Sequence, residues 1–306
     1  MKKIHTVSLV GLGAIGAAYG SKLQTLLGED FRVIVNNERL NRYQKNGFEV
    51  NGIKQEFNFI TPEAETEPAD LVIIATKNAE LGQAVQDVKQ HIDKETIILS
   101  LLNGISSEEE IYEATNNEHI LYSMCVGIDA VRDRQSVRYA SIGRICYGEK
   151  DKSISEDVLA VEDLFQKAGI PYEISEDIWH TIWAKFMFNV GINQTSAVLK
   201  APYKFFQSIP SLQEWMESAM YEVVAISKKV GVHLTEEDVK HYRPILHALS
   251  PNGKTSMLQD VLANRKTEVE HFAGKVCELG KKYNISTPVN DQLYQIIHII
   301  EEMAKQ

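Results

Sequence analysis

The sequence predicts an α/β fold in its first part and an all-α fold in its second, and three observations carry that prediction. Up to about residue 175, short aliphatic and β-branched runs alternate with helix-period patterns, the signature of a mostly parallel sheet covered by helices. From Asp177 onward only helical periodicity remains, with no convincing strand. Between the first strand-like run and the first helical one lie Gly11, Gly13 and Gly16. A chain of 306 residues accommodates two domains, and the change of pattern assigns them to 1–175 and 176–306.

The elements follow in order. "TVSLVG" reads as a strand, 14–27 as a helix, "FRVIV" and "ADLVIIAT" as strands, 79–91 as a helix and "TIILSLL" as a further strand. "HILYSMCVGIDAV" and "SVRYASIGRICYG" read as the far edge of the sheet, antiparallel strands included. A helix over 155–168 and the turn "AGIPYEIS" close this half. In the second part, helical spacing predicts helices over 178–199, 210–230, 236–249, 267–283 and 289–303.

Composition narrows the function classes. Hydrophobic residues at 44% and charged residues at 24% are those of an ordinary soluble domain. A net charge of -10 argues against nucleic acid as the main partner, because phosphate backbones select basic surfaces. A few local cations still suffice for a small anionic substrate. Cys125, Cys146 and Cys277 form no CxxC pair, which suggests reduced thiols and a cytoplasmic setting. The nine histidines show no metal-ligand spacing, so no metal is expected. The apolar start is interrupted by four glycines, unlike a signal peptide. No later run approaches the roughly 20 apolar residues of a membrane span.

"VSLVGLGAIG" sets Gly11, Gly13 and Gly16 in GxGxxG spacing, directly after a strand and at the mouth of a helix. The first glycine permits the tight turn, the second lets a pyrophosphate approach the backbone, and the third lets helix and strand pack closely. Free amides and the helix dipole then hold the phosphates, which makes Gly11, Gly13, Ala14, Ile15 and Gly16 candidate cofactor contacts in a Rossmann-type domain. NAD sites usually end the second strand in an acid that binds the ribose, and NADP sites put a cation there. Here that strand ends in "VNNER": Asn36 is neither, and Glu38 and Arg39 follow with opposite charges. Asn36 can bond a ribose hydroxyl but cannot neutralise a phosphate, which favours NAD, with NADP the alternative that the fingerprint by itself leaves open.

"WAKFMFNVGINQTSA" raises a separate question. Lys185, Asn189 and Asn193 lie four residues apart and form one stripe on a helix that is otherwise apolar nearly all round. The stripe is either the wet face of an amphipathic helix or a row of groups facing a ligand. In the second case a cation and two amides would handle the ligand together, the ammonium stabilising negative charge on a ligand oxygen.

Taken together, "GLGAIG", "ATKNAEL", "LLNGISSEE", "WAKFMFNVGINQTSA", "SMLQDVLANRKTEVEHFAGKV" and "NISTPVNDQLY" resemble the ketopantoate reductase family over nearly the whole chain. The resemblance implies reduction of a 2-oxo acid to its D (R) 2-hydroxy acid with a nicotinamide cofactor. It implies that Lys185 is the catalytic lysine and Glu268 its acidic partner, and that Asn103 meets both nicotinamide and substrate. It places Asn189, Asn193 and Ser256 at substrate contacts and Lys77 at a cofactor contact. Local sequence offers plainer readings for two of these: Glu268 as a first-turn glutamate after Thr267, and Ser256 as a helix cap.

Two departures stand out. NADP-using members that resemble this chain carry arginine where Asn36 stands, and Gly253 occupies a place where a larger polar residue is expected. Both point to the D-2-hydroxyacid dehydrogenase branch, of which D-mandelate dehydrogenase is the named type, acting on bulky or branched 2-oxo acids. The alternatives are an NADPH-dependent 2-dehydropantoate 2-reductase of pantothenate biosynthesis and, in another class, a non-catalytic dinucleotide sensor. The apolar helices of the second half make a homodimer one expectation for assembly.

Overall fold

The computed structural model describes residues 2–306. The chain divides into two compact units, the first ending at Ile178 and the second beginning at Trp179.

The first unit is built on β1 (Val7–Val10), α1 (Ala14–Leu27), β2 (Phe31–Ile34) and α2 (Asn37–Asn46). Three short strands follow: β3 (Glu49–Val50), β4 (Ile53–Lys54) and β5 (Asn58–Ile60). Next come β6 (Leu71–Ile74), α3 (Leu81–Val88), β7 (Ile97–Ser100), α4 (Ser107–Thr115) and β8 (Ile120–Ile128). The unit ends with β9 (Val131–Asp133), β10 (Ser136–Arg138), β11 (Ile142–Gly148), α5 (Glu156–Ala168) and β12 (Tyr172–Ile174).

The main sheet has eight strands in the order β12-β11-β8-β7-β6-β1-β2-β5. Its centre is parallel, and β11 runs antiparallel to β8. The chain leaves β1 toward β2 and β5, then returns to β6 on the other side. The gap beside β1 is therefore the place where the strand order reverses, where open α/β sheets bind ligands outside the carboxyl ends of their strands.

Why these residues form these strands is visible in β6. Leu71 and Ile73 enter the core on the face of α1 and α5, while Val72 and Ile74 enter the core on the face of α3 and α4. Successive strand side chains point to opposite faces, and a sheet covered on both faces needs an unbroken apolar run. That is why "LVII" shows no polar alternation.

In the second unit the helices are α6 (Ile178–Leu199), α7 (Tyr203–Ser208), α8 (Pro210–Ser227) and α9 (Glu236–Ala248). They continue with α10 (Ser256–Leu262), α11 (Ala273–Tyr283) and α12 (Pro288–Met303). No helix of the described residues is long and apolar enough to cross a membrane.

Several expected elements are corrected. The helix expected over 267–283 is broken into a 3-10 turn, Val269–His271, and α11, because Phe272 leaves helical geometry to stack on Phe186. The expected helix over 79–91 shortens to α3 with a 3-10 turn at each end. The helix expected to reach residue 230 ends at Ser227, where the Ser227 carbonyl accepts from the Val232 N–H of a turn through Gly231. Part of the expected turn "AGIPYEIS" is the edge strand β12. "SVR" belongs to a separate four-stranded sheet, β4-β3-β10-β9, rather than to the main one.

Candidate active site

In the first unit, four strands deliver their loops to one edge of the sheet. Val10, Ile34, Ile74 and Ser100 stand in register across β2, β1, β6 and β7. The glycine turn, Asn36, Lys77 and Asn103 follow directly in sequence on these strand ends.

The three glycines of the turn have different causes. Gly11 has φ +97°, and a Cβ there would sit 2.5 Å from the Ala75 carbonyl carbon. At Gly16 a Cβ would sit 2.1 Å from the Gly11 carbonyl oxygen. Close approach of the backbone after β6, together with the positive φ, therefore demands the first, and packing of α1 against the turn demands the second. Gly13 is different: its φ is -78°, and the nearest atom to a Cβ would be the Ala75 oxygen at 3.7 Å. The protein itself has room for a side chain at Gly13, so what an alanine there would fill is the approach to the N-terminus of α1. That terminus has no side-chain cap and no acidic residue in its first turn, which suits an anion held by Ala14, Ile15 and their neighbours. The residues present fit the diphosphate of a dinucleotide.

Asn36 is exposed and is the N-cap of α2, its Oδ1 accepting from the Arg39 N–H at 2.9 Å. Both arginines nearby face carboxylates. Arg39 lies 3.5 Å from Glu80 and Arg42 3.6 Å from Glu38. Lys77 is exposed and occupies the position just before the 3-10 turn Asn78–Glu80. Asn103 is half-buried, and its carbonyl accepts from the Asn78 amide at 2.9 Å. Asn78 thereby ties the loop after β6 to the loop that carries Asn103.

Below the Asn103 loop, the buried Glu108 carboxylate accepts from the Ser107 hydroxyl at 2.8 Å. Ser107 in turn accepts from Ser100 at 2.8 Å, and Ser123 donates to the Ser100 carbonyl at 2.6 Å. Burial pushes the Glu108 carboxyl up to about 7 against the opposing pull of the Ser107 hydroxyl, with Glu109 adding to the rise.

In the second unit, the stripe lies on α6 as its spacing demands, with Lys185 and Asn189 half-buried and Asn193 only 6% exposed. Burial of Asn193 at one end of the row distinguishes it from a stripe exposed along its whole length. The helix is fixed by the polar residues that follow. Gln194 donates to Asn290 at 3.2 Å and accepts from the Ala273 N–H at 3.0 Å. Ser196 accepts from Thr255 at 3.3 Å and donates to the Ala201 carbonyl at 2.7 Å.

Ser256 is exposed at the first position of α10 and is not its cap. Thr255 caps that helix, accepting from the Leu258 N–H at 3.1 Å. The hydroxyl of Ser256 is thus left out of the capping role, and the Thr255–Ser196 bond fixes its neighbour to α6. Gly253 has a packing cause: a Cβ there would meet the Ser250 carbonyl at 2.9 Å and the Tyr203 ring at 2.9 Å.

Glu268 is half-buried just before the 3-10 turn. Its segment is held at both ends. Thr267 gives its N–H and its hydroxyl to one oxygen of Glu301, at 2.7 and 2.6 Å. At the other end, Ala273 gives its N–H to Gln194 on α6, and Phe272 stacks on Phe186, the neighbour of Lys185.

The structure thus brings Gly11, Gly13, Gly16, Asn36, Lys77 and Asn103 to one sheet edge, and it sets Lys185, Asn189 and Asn193 on one helix to which the Ser256 and Glu268 segments are tied. Sequence reasoning missed Asn78, Thr255, Gln194 and Glu301. Of these only Thr255 carries a local signal, standing before an apolar helical run. The others act on residues 25 to 96 positions away.

Comparison with known proteins places the chain in a lineage. A family model described as ketopantoate reductase PanE/ApbA matches residues 7–152, and its C-terminal counterpart matches 177–301. The chain is 28% identical over 300 residues to 2-dehydropantoate 2-reductase of Streptococcus pyogenes serotype M3, covering 96% of this chain and 97% of the relative. It is 26% identical over 301 residues to the uncharacterized oxidoreductase YkpB of Bacillus subtilis, covering 96% and 98%. Among solved structures, D-mandelate dehydrogenase with NADH and anilino(oxo)acetate shares the fold at 22% identity, with a TM-score of 0.85 over 98% of this chain and 100% of that one. The two family models together span most of the sequence, and the chain belongs to the ketopantoate reductase family of oxidoreductases.

Proposed function

We propose that this protein reduces a bulky or branched 2-oxo acid to the D (R) 2-hydroxy acid with NADH as the preferred cofactor. The observation that carries the reading is the row Lys185, Asn189 and Asn193, which runs from half-buried to buried along the part of α6 between Trp183 and Asn193, where every other residue is apolar or glycine. A row of that kind presents one cation and two amides to a small polar molecule.

When bound, the nicotinamide supplies the hydride to C2 of the substrate. The ammonium of Lys185 stabilises the charge that develops on the carbonyl oxygen and delivers the proton that completes the hydroxyl. Asn189, Asn193 and Ser256 orient the substrate's polar groups through hydrogen bonds. Glu268 is the acidic partner in the site, and Asn103 contacts nicotinamide and substrate. Gly11, Gly13, Ala14, Ile15 and Gly16 hold the diphosphate, Asn36 the adenosine ribose, and Lys77 a further part of the cofactor. NADH is preferred because Arg39 and Arg42 each face a carboxylate, leaving the α2 end without the net positive charge that a 2'-phosphate requires.

The protein acts in the cytoplasm, consistent with three buried cysteines that form no disulfide, and a homodimer is the proposed assembly, checked by sedimentation. A second reading, NADPH-dependent 2-dehydropantoate 2-reductase, is favoured in its substrate by relatives named 2-dehydropantoate 2-reductase that match nearly the whole chain. Steady-state kinetics with NADH and NADPH against ketopantoate, 2-oxoisocaproate and phenylglyoxylate decide between them. Higher kcat/KM for the last two with NADH supports the first reading, and a clear preference for ketopantoate with NADPH establishes the second. Cofactor binding without oxidation on any 2-oxo acid identifies a sensor instead.

A further inference from the structure

Arg132 lies on β9 in the small sheet, 120 positions from the glycine turn, yet its guanidinium reaches that turn. Its Nη1 donates to the Leu12 carbonyl at 2.5 Å, its Nη2 to the Tyr43 hydroxyl at 2.9 Å and its Nε to the Arg134 carbonyl at 2.7 Å. The guanidinium carbon lies 5.6 Å from the Phe48 ring centroid and 6.0 Å from that of Tyr43. Three hydrogen bonds and two rings fix a planar cation in one orientation, which suits arginine and not lysine.

Leu12 is the residue between Gly11 and Gly13. A trans peptide is planar, with its C=O and the following N–H pointing in opposite directions. Directing the Leu12 carbonyl at Arg132 therefore directs the Gly13 N–H the other way. Gly13 is also the one glycine of the motif whose missing side chain is not explained by protein packing. A cation on the carbonyl polarises the peptide and strengthens the N–H as a donor.

We propose that Arg132 is a positioning residue for the diphosphate of the dinucleotide, acting through the Leu12–Gly13 peptide. The proposal rests on the reading of the glycine turn as a dinucleotide site. It assigns to the small sheet a role in cofactor affinity: β9 holds the cation, Tyr43 of α2 aligns it, and the turn receives it.

The test is calorimetric titration of the full-length protein with NADH and with ADP-ribose, which retains the diphosphate without the nicotinamide. Arg132→Ala raises Kd about 10- to 100-fold for both, the scale of losing a charge-assisted hydrogen bond, while kcat at saturating NADH and KM for the 2-oxo acid stay within about threefold. Arg132→Lys falls in between, and Tyr43→Phe raises Kd about two- to fivefold. Millimolar ethylguanidinium restores part of the affinity of Arg132→Ala, which a merely structural defect would not allow. If Arg132→Ala fails to fold, Arg132→Lys and Tyr43→Phe carry the comparison. Wild-type affinity for both ligands in the folded variants overturns the proposal alone. Wild-type protein that binds neither ligand overturns the dinucleotide reading and the proposal with it.

Discussion

Thr267 gives both its backbone N–H and its hydroxyl to the same oxygen of Glu301, at 2.7 and 2.6 Å. Glu301 stands on the C-terminal helix, whereas Thr267 immediately precedes Glu268, so the carboxylate fixes the backbone from which the Glu268 side chain projects. Glu301→Ala leaves two donors of Thr267 without an acceptor and frees the start of the segment. The expected outcome is a fall in kcat of about 10- to 100-fold with NADH affinity unchanged. Glu301→Gln, which keeps an acceptor oxygen, recovers most of it. Single-turnover reduction beside NADH titration checks this, and unchanged kcat in Glu301→Ala would show that Glu268 is held by other means.

The glycines predict a contrast between two alanine variants. Gly16→Ala forces a Cβ to 2.1 Å from the Gly11 oxygen, and the expected result is a loss of stability of about 1–3 kcal/mol, the usual scale of overpacking. Gly13→Ala meets nothing closer than 3.7 Å, so the melting temperature stays near wild type while Kd for NADH rises at least tenfold. Thermal denaturation with and without NADH separates the two. An unchanged Kd in Gly13→Ala would remove the argument for a phosphate at that turn.

Glu108 makes stability depend on pH. Its carboxyl is raised from an ordinary value near 4.5 to about 7 in the folded chain, so between these values the folded state holds a proton that the unfolded state has released. Stability due to this group is therefore fully present below about 4.5, falls as pH rises through the window, and stays low above 7. The size is about 3 kcal/mol at most. Glu108→Gln should flatten this decline and be more stable than wild type at pH 8. Denaturant unfolding at pH 5, 6, 7 and 8 tests it, and parallel curves for the two proteins would place the titration elsewhere.

At the end of β2, Glu38 and Glu80 face Arg42 and Arg39 at 3.6 and 3.5 Å. These exposed pairs are weak, but a 2'-phosphate would meet two carboxylates as well as two cations. Glu38→Gln together with Glu80→Gln is expected to improve kcat/KM for NADPH about 5- to 50-fold and to change that for NADH less than threefold. Asn36→Arg adds a cation in the place of the α2 cap and moves preference the same way. The ratio of the two kcat/KM values is the measurement; a ratio that stays constant in both variants would remove α2 as the selector.

Much of this was legible in the sequence, for a physical reason. Strand and helix periodicity, the glycine spacing and the four-residue step of Lys185, Asn189 and Asn193 are local patterns, and local patterns set β1, α1 and α6. What the sequence did not show depends on partners far along the chain. Phe272 breaks an otherwise helical pattern because Phe186 and Gln194 take its ring and its neighbour's N–H. The second sheet is made of strands of two or three residues, too short to show a period. Arg132 and Glu301 sit in unremarkable stretches and gain their roles from what they reach.

Lys185 decides whether the stripe on α6 is chemistry or surface. It is half-buried two turns before Asn193, which is 6% exposed, and it belongs to a different unit from the glycine turn. Lys185→Ala should therefore leave NADH affinity nearly intact while lowering kcat by about 10² to 10⁴, the scale of a positioned acid-base group. Asn189→Ala should act mainly on KM for the 2-oxo acid if, as proposed, its amide holds substrate equally in ground and transition states. Stopped-flow NADH binding and single-turnover reduction distinguish the two effects. A folded Lys185→Ala that turned over like wild type would make the stripe an ordinary helix face, since no other lysine lies on α6 to take over the proton.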